Sequence, residues 1–169
     1  MIVCKSPAEI ERMRAANVLV ADVLVELRGA VAPGVTTAAL DALAERRVRA
    51  AGGVPAFKGY HGFPATICIS VNEEVIHGIP GPRALREGDV VSIDLGAVLD
   101  GFFGDAAITV PVGRISDEAG ALLRVTEEAL YLGIERARVG GRVSDIGHAV
   151  QRHVEANGFS VVREFVGHG

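Results

Sequence analysis

Apolar side chains recur every three to four residues along the first part of the chain, which predicts two amphipathic helices. The first begins at Ser6-Pro7-Ala8-Glu9, where serine is the N-cap, proline opens the first turn and glutamate completes a capping box. Pro33-Gly34 ends this helix. The second runs through residues 38–50 and stops at Gly52-Gly53, because glycine readily takes the left-handed conformation that ends a helix.

The pattern then changes to short runs of β-branched residues, which are typical of strands. Two such runs cover residues 66–71 and 90–95, and Asp100-Gly101 between two apolar runs predicts a tight β-hairpin. A further strand is predicted over residues 160–166. These elements together predict a mixed α/β (α+β) fold.

Helical periodicity returns over residues 117–138 and 144–157, and it repeats the first helix pair. A shift of 106 residues (140 minus 34) aligns Gly34 with Gly140 and several further positions without a gap. Two unrelated amphipathic helix pairs could also be aligned in this way, so that alternative stays open. In a true repeat, the second copy would reach only the equivalent of residue 63 (169 minus 106), before its own strand region.

Asp94 and Asp105 form the most informative pair of polar residues. If the hairpin turns at Asp100-Gly101, Gly96 faces Asp105, and alternation of side chains puts Asp94 on the same face. Two ionised carboxylates on an apolar hairpin need positive charge nearby, yet no lysine or arginine lies between residues 86 and 114. A divalent metal ion with oxygen ligands would supply that charge. The alternative is that one aspartate is a solvated turn residue, which is the interpretation we adopt for Asp100.

Small residues around these aspartates predict open space beside them. Val91, Ile93, Leu95 and Ala97 form one apolar face of the hairpin. Gly96 and Gly104 are both expected on the other face, where they would leave room next to the carboxylates.

The chain has five histidines, which differ in what they predict. His148 and His153 are five residues apart in a helical stretch and are interpreted as ordinary helix residues. His61 lies in an aromatic, glycine-rich loop that could line an apolar pocket or serve packing alone. His77 precedes a Gly-Ile-Pro turn that would hold its ring near the strands. His168 is flanked by glycines and is a candidate third metal ligand.

Composition and charge exclude several partners. The formal net charge is -4, so no basic surface favours nucleic acid. No apolar run is long enough to span a bilayer, and no signal peptide is visible at the N-terminus. The chain has only two cysteines, Cys4 and Cys68, so a disulfide framework is not expected and a reducing cytoplasm is the simplest location.

From about Lys5 onward, the chain resembles the type I methionine aminopeptidases of peptidase family M24. The resemblance is carried by long motifs in the family's order and spacing: residues 59–64 (GYHGFP), 72–80 (NEEVIHGIP), 88–94 (GDVVSID), 100–105 (DGFFGD) and 167–169 (GHG).

The resemblance implies a pita-bread fold with two pseudo-symmetric halves, the second incomplete in this chain, and one partial catalytic domain over residues 1–169. It implies a metalloaminopeptidase that removes the initiator methionine of nascent polypeptides by hydrolysis at two divalent metal ions. The ligand types do not distinguish Co, Mn, Fe, Ni and Zn. We also expect transient proximity to the ribosome, no nucleic acid or membrane partner, and a monomeric complete protein.

Roles are carried over motif by motif. The resemblance implies that Asp94 binds the first metal, that Asp105 bridges both metals and that His168 binds the second. His77 would act in catalysis by hydrogen bonding to the substrate near the scissile amide. The methionine pocket would be lined by Phe57, Tyr60, His61, Phe63 and Cys68. Many relatives have cysteine at the position of Phe57 and tyrosine at that of Phe63, which leaves the pocket apolar and changes its shape.

The family's remaining ligands are two glutamates, one of them its general base, and a further substrate-binding histidine lies just beyond the last motif. All are expected beyond Gly169, so these 169 residues are expected to have little activity alone. Two alternative functions remain at this point: a proline-specific peptidase of the same fold and a non-catalytic pita-bread binding protein.

Overall fold

The computed structural model describes residues 3–165 and 167–168 and divides into two compact units, Met1–Ile115 and Ser116–Gly169. In the first unit, helix α1 (Pro7–Ala30) begins with the predicted capping box: the Ser6 hydroxyl accepts a hydrogen bond from Glu9 N, and the Glu9 carboxylate accepts one from Ser6 N at 2.7 Å. Helix α2 (Thr37–Ala50) is capped by the Thr36 side chain. Local hydrogen bonding therefore defines both starts.

The sheet of the first unit is antiparallel and is built around one long strand. It consists of β1 (Val54–Pro55), β2 (Ile67–Val71), β3 (Val90–Leu99) and β4 (Phe102–Pro111). Strand β3 pairs with β4 on one side and with both β1 and β2 on the other. Each short strand thus pairs with a different stretch of β3.

The β3–β4 hairpin turns where the sequence predicts it. Leu99 pairs with Phe102, which leaves Asp100 and Gly101 as the two turn residues. Both have positive φ, 49° and 80°, as a type I′ turn requires. The turn type matches the right-handed twist of the strands and defines the register of the whole hairpin.

The core of the first unit lies between one face of the sheet and the two helices. Burying these apolar side chains is the main stabilising contribution of the unit. The buried residues include Val91, Ile93 and Leu95 of β3, Ile67 and Ile69 of β2, Val20, Leu24 and Leu27 of α1, and Leu40 and Val48 of α2. The opposite face of the sheet is left for polar groups.

The second unit is a helix pair, α3 (Asp117–Ile134) and α4 (Val143–Ala156), packed around Val125, Ala129 and Val154. Its second helix lies where the predicted repeat places it. Adding 106 to the bounds of α2 (37–50) gives 143–156, the bounds of α4. Gly34 and Gly140 both have positive φ, 87° and 89°. These matches support the predicted duplication.

Two sequence predictions in the second unit are wrong. The helix predicted to reach residue 138 ends at Ile134, where the chain enters a turn. Residues 160–165 form no strand, and Val166 lies outside the described residues. A strand requires a partner for its backbone hydrogen bonds, and in the described part of this unit the regular elements are helices.

Of the helices that the structure describes, none combines the length and apolar content that a membrane crossing requires.

Candidate active site

Asp94 and Asp105 lie on the same face of the hairpin. Asp105 pairs with Gly96 and Asp94 with Ala107, and residues two apart on a strand point to the same side. The two aspartates are therefore diagonal neighbours, with the register that the sequence predicts and a Cα separation of roughly 7–8 Å. Asp94 is half-buried and Asp105 is exposed. The pair can thus meet a ligand that arrives from solvent.

Cys68 belongs to the same face. It pairs directly with Asp94 on the other side of β3, and it is only 6% exposed. Burial and, to a smaller extent, the negative charges of Asp94 and Asp105 together raise the pKa of the Cys68 thiol to about 11. Cys68 therefore lies near enough to both carboxylates for their charges to disfavour its thiolate.

Gly104 corrects one expectation about the space beside the carboxylates. Gly104 pairs with Ala97, and directly paired residues share a face, so Gly104 lies on the apolar side of the hairpin. A Cβ at Gly104 would stand 2.8 Å from the backbone nitrogen of Asn17 in helix α1. Its role is to let the helix approach the strand, whereas only Gly96 opens the carboxylate face.

Gly96 makes room for an aromatic ring on the carboxylate face. A Cβ at Gly96 would lie 2.5 Å from Cε1 of Phe57 and 3.0 Å from its Cζ. The Phe57 ring therefore packs on Gly96, which pairs with Asp105 and lies two positions after Asp94. Its loop is attached to the same point, since Ala56 N donates to Gly96 O at 2.9 Å. This gives the site an apolar wall.

The loop that follows Phe57 is short and held by its own backbone. Gly59 N donates to Phe63 O at 2.8 Å, and Phe63 N donates to Tyr60 O at 2.9 Å. Tyr60 is exposed and stacks edge to face on His61, whose φ is 47°. Phe57 and Phe63 are half-buried. The predicted pocket residues thus comprise an apolar inner part and an exposed outer part.

Helix α2 positions both ends of this loop. Glu45 forms ion pairs with Lys58 at 2.7 Å and with Arg49 at 2.9 Å. Asp41 accepts hydrogen bonds from Thr66 N and Ile67 N at 2.8 and 3.0 Å, where β2 begins. Asp41 is not among the residues predicted from the sequence. The signal was present, because Asp41 is an acidic residue beside Leu40 on the apolar stripe of α2.

His77 lies in a strained turn pressed against β2. Its φ is 59°, unusual for a residue with a side chain. The next residue, Gly78, donates to the Ser70 hydroxyl at 3.1 Å and accepts from Ile69 N at 2.9 Å. Ser70 shares the face of Cys68 by alternation, so this turn borders the carboxylate face. Such strain is often found at functional sites.

Comparison with known proteins identifies the family. The sequence model of metallopeptidase family M24 matches residues 11–169. Methionine aminopeptidase 1 of Bacillus subtilis is 54% identical over 100% of this chain, which spans 68% of that protein. The methionine aminopeptidase of Clostridium acetobutylicum is 52% identical with the same coverage. The chain belongs to the methionine aminopeptidases of family M24.

Solved structures agree with this assignment. The crystal structure of methionine aminopeptidase from Rickettsia prowazekii superposes with a TM-score of 0.98 at 39% identity, covering 100% of this chain and 68% of that one. The Thermotoga maritima methionine aminopeptidase has a TM-score of 0.97 at 44% identity with the same coverage. Prolidase from Pyrococcus furiosus, at 21% identity and a TM-score of 0.81, shares the fold alone. The fold is the pita-bread fold, and the methionine aminopeptidases are favoured over the proline-specific enzymes.

Family M24 consists of metallopeptidases, and the residues on the carboxylate face fit a divalent cation. Asp94 and Asp105 supply oxygen donors from neighbouring strands, and the charges of both raise the pKa of the buried Cys68 thiol. Among residues 3–165 and 167–168, no group of three or more His, Cys, Asp or Glu side chains is arranged to hold a metal. The fit therefore rests on the aspartate pair.

The remaining histidines belong to the second unit. His168 is exposed and follows Gly167, and Gly169 of the same motif lies outside the described residues. Its role as a metal ligand stays a prediction. His153 contacts Glu128 at 2.9 Å and joins α3 to α4, whereas His148 is exposed. These positions agree with the structural interpretation of both helix histidines.

Proposed function

We propose that this protein is a metalloaminopeptidase that removes N-terminal methionine from polypeptides, with Asp94 and Asp105 as metal ligands. The observation that carries the proposal is their diagonal placement on one face of the hairpin, in a chain 54% identical to a methionine aminopeptidase. The relatives' names specify the bond that such enzymes cleave. The aspartates account for the metal dependence.

Each proposed metal ligand would have a different role. Asp94 would hold one metal ion, Asp105 would bridge two, and His168 would hold the second. Divalent ions at such a site supply Lewis-acid activation of water and of the peptide carbonyl. Mn, Fe, Co, Ni and Zn all accept carboxylate and imidazole ligands, so the two ions are proposed without a choice among them.

The methionine side chain would enter the apolar region beside the aspartates. Phe57 packs over Gly96 as one wall, and Phe63, Tyr60 and His61 of the loop that follows would extend that wall. Burial, the main cause of the raised pKa of Cys68, favours the neutral thiol. A neutral thiol presents a soft, weakly polar surface that suits the thioether of methionine.

His77 would orient the substrate. Its turn is attached to β2 through Gly78 and Ser70, so its ring is carried by a fixed backbone at the border of the carboxylate face. From there the imidazole would hydrogen bond to the substrate near the scissile amide. Holding the amide in one orientation lowers the entropic cost of attack on it.

The cellular setting follows from the substrate. New polypeptides carry the initiator methionine, so we propose action in the cytoplasm on nascent chains, with transient proximity to the ribosome. Both cysteines are free, which agrees with a reducing compartment. We further propose that residues 1–169 belong to one catalytic domain, that the complete protein is a monomer, and that it needs neither nucleic acid nor membrane.

Metal binding provides the first test. Titration of the chain with Co²⁺ in a calorimeter should give a binding isotherm that Asp94→Asn and Asp105→Asn each weaken strongly. Asp100→Asn is the matched control, since Asp100 is an aspartate of the same hairpin that serves the turn. Equal affinities in all variants would contradict the metal assignment.

Substrate recognition provides the second test. The peptide Met-Ala-Ser should bind to the metal-loaded chain, and its N-acetylated form should bind much more weakly, because acetylation removes the free amine that an aminopeptidase recognises. His77→Ala should weaken the binding of Met-Ala-Ser, because the proposed hydrogen bond near the scissile amide is lost. Equal binding of the free and acetylated peptides would contradict aminopeptidase recognition.

A further inference from the structure

Helix α1 touches strand β4 at the residue before Asp105. A Cβ at Gly104 would stand 2.6 Å from the carbonyl carbon of Ala16 and 2.8 Å from the nitrogen of Asn17. Ala16 is fully buried. Only glycine at position 104 allows the backbones of helix and strand to approach this closely. The helix is therefore in direct backbone contact with the strand that carries Asp105.

The side chain of Asn17 continues this contact by one residue. Its Nδ2 donates to Met13 O at 2.9 Å, within the helix. Its Oδ1 accepts from Asp105 N at 3.4 Å, across to the strand. The two halves of the amide have opposite roles, so reversing the amide would break both hydrogen bonds. The hydrogen bond to Met13 O thus orients Oδ1 of Asn17 toward Asp105.

The register of the hairpin explains why Asp105 needs a partner outside the sheet. Gly96 O accepts from Ala56 N on the β1 side, so the polar groups of Gly96 point away from β4. Gly96 and Asp105 are consequently a non-hydrogen-bonded pair, and the Asp105 N–H points away from β3. In the described part of the chain, β4 has no other strand on that side. Asn17 takes the place of that missing strand.

We infer that Asn17 is a positioning residue for Asp105, through which helix α1 sets the position of the bridging carboxylate. The inference rests on the proposed role of Asp105 as a metal ligand. Gly104 allows helix α1 to approach strand β4 closely. At that distance, the side chain of Asn17 accepts a hydrogen bond from the backbone N–H of Asp105. Residues that orient a metal ligand commonly affect metal affinity by about 10- to 100-fold.

The test compares Co²⁺ binding by the unchanged chain, Asn17→Ala, Asp22→Ala and Asp105→Asn, using calorimetry and the visible absorption spectrum of bound Co²⁺. Asp22 is an exposed residue of the same helix and serves as the matched control. Asn17→Ala should weaken Co²⁺ binding by about tenfold and alter the cobalt spectrum, because the bridging ligand moves. Asp22→Ala should change neither. Thermal unfolding of each variant checks whether the fold is retained.

The outcomes separate this inference from the proposed function. Loss of binding in Asp105→Asn with unchanged affinity and spectrum in Asn17→Ala would overturn the positioning role and leave the metal site in place. Unchanged binding in Asp105→Asn would overturn the ligand assignment itself, and the inference with it. An equal loss in Asn17→Ala and Asp22→Ala would also overturn it, because the effect would then come from the helix in general.

Discussion

Cys68 and Asp94 face each other across the β2–β3 ladder, so a buried thiol and a carboxylate occupy the same row of the sheet. Burial is the main reason that the pKa of Cys68 rises to about 11, and the charges of Asp94 and Asp105 add to the rise. The titration of this thiol therefore reports on the two aspartates. It offers a way to examine the site without measuring catalysis.

The thiolate of Cys68 should form only in strongly alkaline solution. In the metal-free chain with Cys4→Ser, which leaves one thiol, the ultraviolet absorbance of the thiolate should rise with a midpoint near pH 11. Asp94→Asn should lower this midpoint, because one of the two repelling charges is removed. Asp100→Asn is the control and should leave it unchanged. A midpoint insensitive to Asp94→Asn would show that the two groups do not interact.

The same thiol should make stability depend on alkaline pH. The folded pKa of Cys68, about 11, lies above the ordinary value of 9.0, so the folded state keeps its proton where the unfolded state loses it. The contribution to stability is present below pH 9.0 and is lost as pH rises toward about 11. Urea unfolding across this range should show the decline. A Cys68→Ala chain with an identical pH profile would contradict it.

Asp100 should matter for folding and leave metal binding unchanged. Its φ of 49° is costly for alanine, so Asp100→Ala should lower the free energy of unfolding by about 1–2 kcal/mol. Asp100→Gly should avoid this loss because glycine accepts positive φ. Neither change should alter Co²⁺ binding, whereas Asp105→Ala should abolish metal binding at the bridging position and, in a chain extended to full family length, activity. Similar losses of metal in the Asp100 and Asp105 variants would mean that the hairpin roles are misassigned.

Gly96 and Phe57 should be energetically coupled. Gly96→Ala puts a methyl group against the Phe57 ring, and overpacking of this kind costs about 1–3 kcal/mol. In a chain that already carries Phe57→Ala, the Gly96→Ala change should cost much less. The difference between the two costs is the interaction energy of a double-mutant cycle. Urea unfolding of the four chains measures it. Additive effects would show that the ring does not pack on Gly96.

Local sequence determined the features that depend on neighbouring residues. The capping box at Ser6 specifies the start of α1, and the two-residue turn at Asp100-Gly101 specifies the register that makes Asp94 and Asp105 diagonal neighbours. These features were predictable because helix caps and tight turns are formed within a few residues of one another. Family resemblance added the roles of the aspartates, which spacing alone could only suggest.

Tertiary structure decided the contacts between distant segments. Asn17 reaches Asp105 across 88 positions of the chain, and Asp41 holds the start of β2 from a different helix. The sequence contains both residues, but their partners are selected only when the helices pack on the sheet. Residues 160–165 show the reverse case, in which the local pattern predicts an element that the structure does not form. Their pattern is strand-like, yet no strand forms there. A strand is stabilised by hydrogen bonds to a partner, and a residue pattern cannot supply that partner.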